Sequence, residues 1–309
     1  MKEFEHIPVL LNECIEGLNI KKDGIYVDGT LGGAGHSLKI VQYLSKNGKL
    51  IGIDKDTDAI KKAKTVLSKF TNVIYVQDNH DNLKDILEKL GIAGVDGILL
   101  DLGVSSYQLD EKKRGFSYMQ DAPLDMRMDK TQELTAKKVI NTYSEEHLAK
   151  IIFEYGEEKF SRQIARRICE YRKEKEIETT LELVKIIENV VPKNIKQGHP
   201  AKRTFQAIRI EVNDEIKPLY NTVLNAIECL NPKGRLCIIT FHSLEDRAVK
   251  QAYIDASGKC ICPPDLPYCV CGKKEKGKII TKKPILPTEQ EIEINSRSKS
   301  AKLRIFEKK

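Results

Sequence analysis

Short continuous apolar runs alternate with stretches of helical period over the first hundred residues. Gly24-Ile25-Tyr26-Val27-Asp28 is the first run and ends in an acid; a Gly-rich turn and a helical stretch around 37–44 follow. Lys49-Leu50-Ile51-Gly52-Ile53-Asp54 is a second run ending in an acid. Residues 56–67 then have helical period, with Asp56 placed to cap them. Val73-Ile74-Tyr75-Val76 is a third strand, 83–90 a helix, and Gly97-Ile98-Leu99-Leu100-Asp101 a fourth strand, again closed by an acid. Apolar runs interleaved with helices predict a parallel sheet covered on both faces.

The alternation stops near Gly103. Up to about Glu215 the pattern predicts helices over 144–155, 158–173 and 180–191, the last ended by Pro192, and no strand. It resumes with a helix around 216–230, a strand over 235–240 and a helix over 244–256. Glu291-Ile292-Glu293-Ile294 and residues 301–306 alternate as edge or hairpin strands do. The chain thus reads as one doubly wound, Rossmann-like α/β domain built from 1–104 and 216–309, interrupted by a helical insertion at 105–215. It has no internal repeat.

In open parallel sheets, ligands bind at the carboxyl ends of the strands. Three predicted strands end there in Asp28, Asp54 and Asp101. Glycines 29, 32, 33 and 35 let the intervening backbone turn tightly and approach a ligand. An acid ending the second strand is the usual partner of ribose hydroxyls, which points to Asp54. A dinucleotide would need G-x-G-x-x-G, but Leu38 stands where the third glycine belongs. Asp28, just before the turn, would also repel a pyrophosphate. An adenosyl cofactor without phosphates fits better, and the fold class becomes that of a Rossmann-like S-adenosylmethionine-dependent methyltransferase.

Composition narrows this little. Of 309 residues, 40% are hydrophobic, enough for a sizeable core, and the formal net charge of +7 permits a nucleic-acid partner without demanding one. The N-terminus lacks the apolar core of a signal peptide, and no stretch reaches the ~18–20 apolar residues of a membrane span. A cytoplasmic protein without a membrane partner is expected. The sequence leaves a homodimer open.

Longer motifs carry more. They are His6-Ile7-Pro8-Val9-Leu10-Leu11, residues 100–110, Arg114-Gly115-Phe116-Ser117-Tyr118, Pro123-Leu124-Asp125-Met126-Arg127-Met128, residues 203–210, and Phe241-His242-Ser243-Leu244-Glu245-Asp246-Arg247. With the Gly-rich turn they closely resemble the RsmH (MraW) family of bacterial ribosomal RNA methyltransferases, from His6 to Phe306. The resemblance implies methylation of the exocyclic N4 of one cytidine in the decoding region of 16S ribosomal RNA, within the small ribosomal subunit, with S-adenosylmethionine as cofactor. It implies cofactor contacts at Ala34, Gly35, His36, Asp54, His80, Asp101 and Gln108. The strand-end residues agree with the reading from position; His80 and Gln108 rest on the resemblance alone.

The catalytic acceptor is not assignable by motif. Many amino-methylating enzymes carry Asp/Asn/Ser-Pro-Pro-Tyr after the fourth strand, whereas this chain has Asp101-Leu102-Gly103-Val104. Asp101 is a candidate to take the amino proton, with Asn213 and Asp125 behind it; the competing role for Asp101 is to hold the cofactor's ammonium. Carbon-5 methylation would need a thiolate, and no Pro-Cys pair occurs near the strand ends. Two other classes compete with it: a non-catalytic RNA-binding assembly factor keeping the fold, and a nicotinamide oxidoreductase.

Basic residues of the insertion offer RNA contacts: Arg162, Arg166, Arg167 and Arg172 on one helix, then Lys202, Arg203 and Arg209 around Phe205. Each also reads as a solvated charged face. An insertion of this size could clamp an unstacked strand over the sheet rim. Six lysines between 273 and 283, against Glu275 alone, read as a flexible basic loop. Cys14, Cys169, Cys229 and Cys237 read as reduced core residues. Cys260, Cys262, Cys269 and Cys271 suit either a structural zinc or four reduced loop thiols, and no catalytic metal is expected.

Overall fold

The computed structural model describes residues 8–105, 108–109, 111–192, 198–258, 262, 268, 271–272 and 274–309. The chain divides into two compact units, Met1–Gly103 with Ile216–Lys309, and Val104–Glu215.

The first unit is a seven-stranded sheet. Its strands are β1 (Ile25–Asp28), β2 (Lys49–Asp54), β3 (Val73–Gln77), β4 (Val95–Asp101), β5 (Leu230–Thr240), β6 (Gly277–Ile279) and β7 (Lys302–Lys308). They lie in the order β3-β2-β1-β4-β5-β7-β6. β1 to β5 are parallel, and β7 runs antiparallel to β5 and β6. The order reverses between β1 and β4, so their carboxyl ends flank the switch point where such sheets bind ligands. This is the Rossmann-like architecture expected.

Period-two alternation sends neighbouring side chains to opposite faces. Ile98 and Leu100 join Val27, Leu236 and Ile238 under the helices Leu83–Lys89, Leu219–Cys229 and Ser243–Ala256. Leu99 joins Tyr26, Leu50, Cys237 and Ile305 under the helices Leu11–Leu18, Gly35–Tyr43 and Thr57–Val66. Asp56 caps the last of these by accepting the Asp58 N–H at 3.0 Å, as its position predicted.

Four expectations change. Residues 291–294 are not a strand but part of a helix, Glu289–Ile294, because Thr288 caps it by accepting the Glu291 N–H at 3.2 Å. Four alternating residues cannot separate the two periods; the cap decides. The lysine-rich segment is not all loop. It contributes edge strand β6, where Lys278 pairs with Glu307 at 2.9 Å, and Lys276 pairs with Glu228. Lysines on an edge strand also discourage pairing with another chain. Cys169 is only partly buried, unlike Cys14, Cys229 and Cys237. β5 also starts earlier than residue 235: its register jumps from Val95↔Leu230 to Gly97↔Arg235. Pro232 and Lys233, at φ 66°, make the irregularity that hid its start. Cys260 and Cys269 lie outside the described residues, and the zinc reading with them. No described helix is long and apolar enough to cross a membrane.

The second unit packs the helices Ala136–Thr142, Glu145–Gly156, Ser161–Tyr171, Thr180–Glu188 and Lys202–Asn213 around a core including Met126, Val139, Ile152, Ile164 and Ile208. The segment Pro123–Met128 threads this core, with Met126 at φ 58°. Asn213, 8% exposed, holds it there: its Nδ2 donates to the Met126 and Arg209 carbonyls at 2.8 and 2.9 Å, and its Oδ1 accepts the Met128 N–H at 2.8 Å. Arg114 donates to the carbonyls of Arg127 and Met128 at 2.9 and 3.0 Å. Asn213→Ala should therefore destabilise the protein by about 1–3 kcal/mol through buried backbone groups left unpaired. Urea unfolding measures this, and an unchanged midpoint would contradict the role.

Candidate functional site

The turn after β1 is built by Asp28. Its buried carboxylate accepts Ser37 Oγ at 2.6 Å and the Thr30 N–H at 3.2 Å, tying the strand end to the following helix. Thr30 Oγ1 in turn accepts the Asp101 N–H at 2.7 Å, fastening β4 to the same turn. Gly32 (φ 46°) and Ala34 (φ 62°) take left-handed backbone, and the Ala34 N–H closes on the Leu31 carbonyl at 2.6 Å.

Two of the glycines answer to the protein's own packing. A Cβ at Gly29 would fall 2.4 Å from Leu100 Cδ2 and 3.2 Å from His80 Cβ. One at Gly35 would fall 2.2 Å from Pro8 Cγ. The N-terminal motif thus lies on the turn: Pro8 covers Gly35, and the Val9 carbonyl sits 3.0 Å from His36 Nε2. A carbonyl only accepts, so His36 carries its proton on Nε2. Its Nδ1 faces Asp101 Oδ2 at 3.8 Å.

Asp54 turns back toward the glycines. Its Oδ2 accepts the Gly32 N–H at 2.9 Å and its Oδ1 the Asp56 N–H at 2.8 Å. Burial nevertheless pushes its carboxyl up to about 6. Asp101 is pushed further, to about 8, by burial and then by the charges of Asp28 and Glu245. Its Oδ1 is shut off from solvent and has no hydrogen-bond partner. His80, on the turn His80–Asn82 after β3, is lowered to about 4 by burial and is neutral at neutral pH; Asp81, 3.8 Å away, opposes the shift. No lysine or arginine pairs with Asp28, Asp54 or Asp101 among the described residues.

Ala34, Gly35, His36, Asp54, His80 and Asp101 thus belong to one unit, at the turn and the strand ends around it. Gln108 belongs to the other; there its Oε1 accepts the Ser105 N–H at 3.1 Å, and its N–H donates to Ser105 Oγ at 3.2 Å.

The remaining acceptor candidates are occupied. Asp125 holds Arg127 through both oxygens at 2.8 and 2.9 Å, and hydrogen bonds from Arg127 keep its carboxyl below the usual range despite desolvation. Asn213 is committed to the backbone as described. Of the basic residues, Arg172 donates to the carbonyls of Ile140 and Tyr143, and Arg209 makes a two-pronged pair with Glu215 at 2.9 Å. Phe205 is buried edge-on to Tyr118, centroids 5.8 Å apart, so it presents no face to a base. Arg162, Arg166 and Arg167 do share an exposed helix face, the latter two paired with Glu170. Arg203 leans on the Glu157 carbonyl at 3.3 Å.

One pair escaped the reading from sequence. Beyond β5, Glu245 Oε2 accepts the N–H groups of Phe241 and His242 at 2.7 and 3.3 Å, while His242 Nδ1 accepts the Glu245 N–H at 3.5 Å. This reciprocal cap opens the helix Ser243–Ala256. A polar residue at a strand end, followed three positions on by Glu, is the signal that could have found it. The following residue, Asp246, pairs with Arg304 at 2.6 Å and Lys302 at 3.4 Å.

A family model for the MraW methylase family matches residues 3–309. The chain belongs to that family. Among its relatives, ribosomal RNA small subunit methyltransferase H of Clostridium botulinum (strain Kyoto / Type A2) is 61% identical over 307 residues, covering 99% of both chains. The protein of the same name from Lachnospira eligens is 57% identical over 309 residues, covering 99% of this chain and 98% of its own. Methylase membership accords with acids clustered at the switch point and, among the described residues, paired with no lysine or arginine.

Asp101 makes this visible in stability. Its folded value, about 8, stands above the ordinary 3.8, so its contribution is fully present below about pH 4 and is lost as pH rises through 8. Asp101→Asn removes that loss. Thermal unfolding of the unligated protein at pH 5.5 and pH 9, values chosen on either side of about 8, should show the variant gaining on the parent at the higher pH. An equal difference at both would refute the assignment.

Proposed function

We propose that the protein transfers a methyl group from S-adenosylmethionine to the exocyclic N4 of a cytidine in 16S ribosomal RNA of the small subunit. The observation that carries the cofactor is the Asp101 Oδ1, buried and unpaired near Asp28. A rim of carboxylates with no lysine or arginine partner among the described residues suits a ligand of net positive charge, such as a sulfonium with an ammonium group, and disfavours a pyrophosphate. The RNA substrate is supported by the names of relatives at 61% and 57% identity.

Ala34, Gly35, His36, Asp54, His80, Asp101 and Gln108 would hold the cofactor. Asp54 would accept the ribose hydroxyls, and Asp101 the ammonium. Once bound, the cofactor supplies an electrophilic methyl: the N4–C bond forms as the C–S bond breaks, sulfur leaves with the electron pair as a thioether, and the amino group loses a proton. The protein's share is alignment, because holding two reactants in line contributes roughly 7–11 kcal/mol. His80, whose Cβ lies beside Gly29, is neutral and adds no positive charge to a site built for a cation. Residues 105–215 serve RNA recognition, with Arg162, Arg166 and Arg167 as phosphate contacts. The protein acts in the cytoplasm.

Asp54→Ala should weaken S-adenosylmethionine binding by about 1.5–3 kcal/mol, the scale of hydrogen bonds to a charged acceptor. Calorimetry on the purified variant decides, and unchanged affinity would place the cofactor elsewhere. Replacing Arg166 and Arg167 by Ala should lower RNA affinity and flatten its salt dependence while cofactor affinity holds. Parent-like affinity and slope would leave that face merely solvated.

A further inference from the structure

His242 stands where the substrate base must be read. β4 and β5 are parallel neighbours with Asp101 opposite Ile239, and the Leu102 N–H donates to the Ile239 carbonyl at 3.0 Å. Phe241 and His242 therefore leave β5 at the rim where Asp101 leaves β4; a Cβ on Gly103 would lie 3.6 Å from the Phe241 ring. The His242 side chain is only 8% exposed. Because its Nδ1 accepts the Glu245 N–H, the ring carries its proton on Nε2. That Nε2 is buried without a hydrogen-bond partner: Glu245 Oε1 is 3.0 Å away but out of line. A buried, unsatisfied donor is costly to keep, so a ligand acceptor is its natural complement.

We propose that His242 is a base-reading residue, its Nε2–H donating to the ring N3 of the cytosine being methylated, with Glu245 as the positioning residue that fixes the tautomer. This rests on the cytidine reading above. Among pyrimidines, cytosine offers an acceptor at N3 beside its amino group, whereas uracil offers an N–H that would meet the imidazole proton head-on. A donor aimed at N3 both selects cytosine and sets the adjacent N4 in place. A hydrogen bond accepted at N3 orients the ring and leaves the amino lone pair on N4 to attack.

The test compares the parent with His242→Asn and His242→Gln. The asparagine keeps an oxygen to cap Glu245 but is too short to reach the base; the glutamine restores an N–H at similar reach. Single-turnover methylation is followed on small subunits carrying cytidine or 3-deazacytidine, which lacks the N3 acceptor, at the target. His242→Asn should slow transfer to cytidine about tenfold or more, with S-adenosylmethionine affinity and thermal stability close to the parent. On 3-deazacytidine the same variant should differ little from the parent, and His242→Gln should recover part of the loss on cytidine. An equal loss on both RNAs would mean a structural role and overturn the proposal, as would parent-like rates for His242→Asn on cytidine. Should His242→Asn not fold, parent affinity for the two RNAs in the presence of S-adenosylhomocysteine decides: weaker binding of the 3-deaza form supports base reading, and equal binding overturns it. A parent inactive on cytidine-bearing subunits is a separate result, and it would sink the function itself.

Discussion

The carboxylate of Asp28 is the constraint on which the site depends. It sits at the end of β1, almost wholly removed from water, and binds Ser37 Oγ and the Thr30 N–H at once. Thr30, so placed, receives the Asp101 N–H, and the Gly32 N–H, two residues on, donates to Asp54. One buried acid thus fixes the geometry of the two others. Burial raises its own carboxyl, opposed chiefly by the Ser37 hydrogen bond and the neighbouring His36. Its charge then contributes to raising Asp101 and, less strongly, Asp54.

Other acids of the chain do have cations: Asp125 has Arg127, Glu215 has Arg209, and Asp246 has Arg304. At the rim of the sheet Asp28, Asp54 and Asp101 have neither lysine nor arginine among the described residues, and burial is the first cause of the upward shift of each. Unpaired buried acids oppose folding when ionised. Their concentration at a topological switch point is the arrangement of a binding site that receives its positive charge from outside.

Much of this was legible in the chain. The acids ending β1, β2 and β4 mark the rim by position alone, and the apolar runs before them give the sheet and its parallel order. What stayed hidden was non-local or capped by a single side chain. Pro8 on Gly35 and Val9 on His36 join segments 27 residues apart, so the motif's reason for being cannot be read from its neighbours. The helix Glu289–Ile294 turns on Thr288 alone, and β6 is a three-residue edge strand that only β7 explains. The glycines were read as room for a ligand; at 29 and 35 the crowding comes from Leu100, His80 and Pro8.

The same distinction sorts the long motifs by purpose. A motif residue whose polar atoms are committed within the fold is accounted for by the fold: Asn213 spends both ends of its amide on backbone, and Arg209 is locked to Glu215. A motif residue that folding leaves with an unmatched buried atom must be explained by something else. In the sheet unit two such atoms, Asp101 Oδ1 and His242 Nε2, belong to adjacent parallel strand ends. One is an acceptor suited to a cation, the other a donor suited to a base. A methyl transfer needs both partners held side by side, and neighbouring strands of a parallel sheet deliver their ends to one rim.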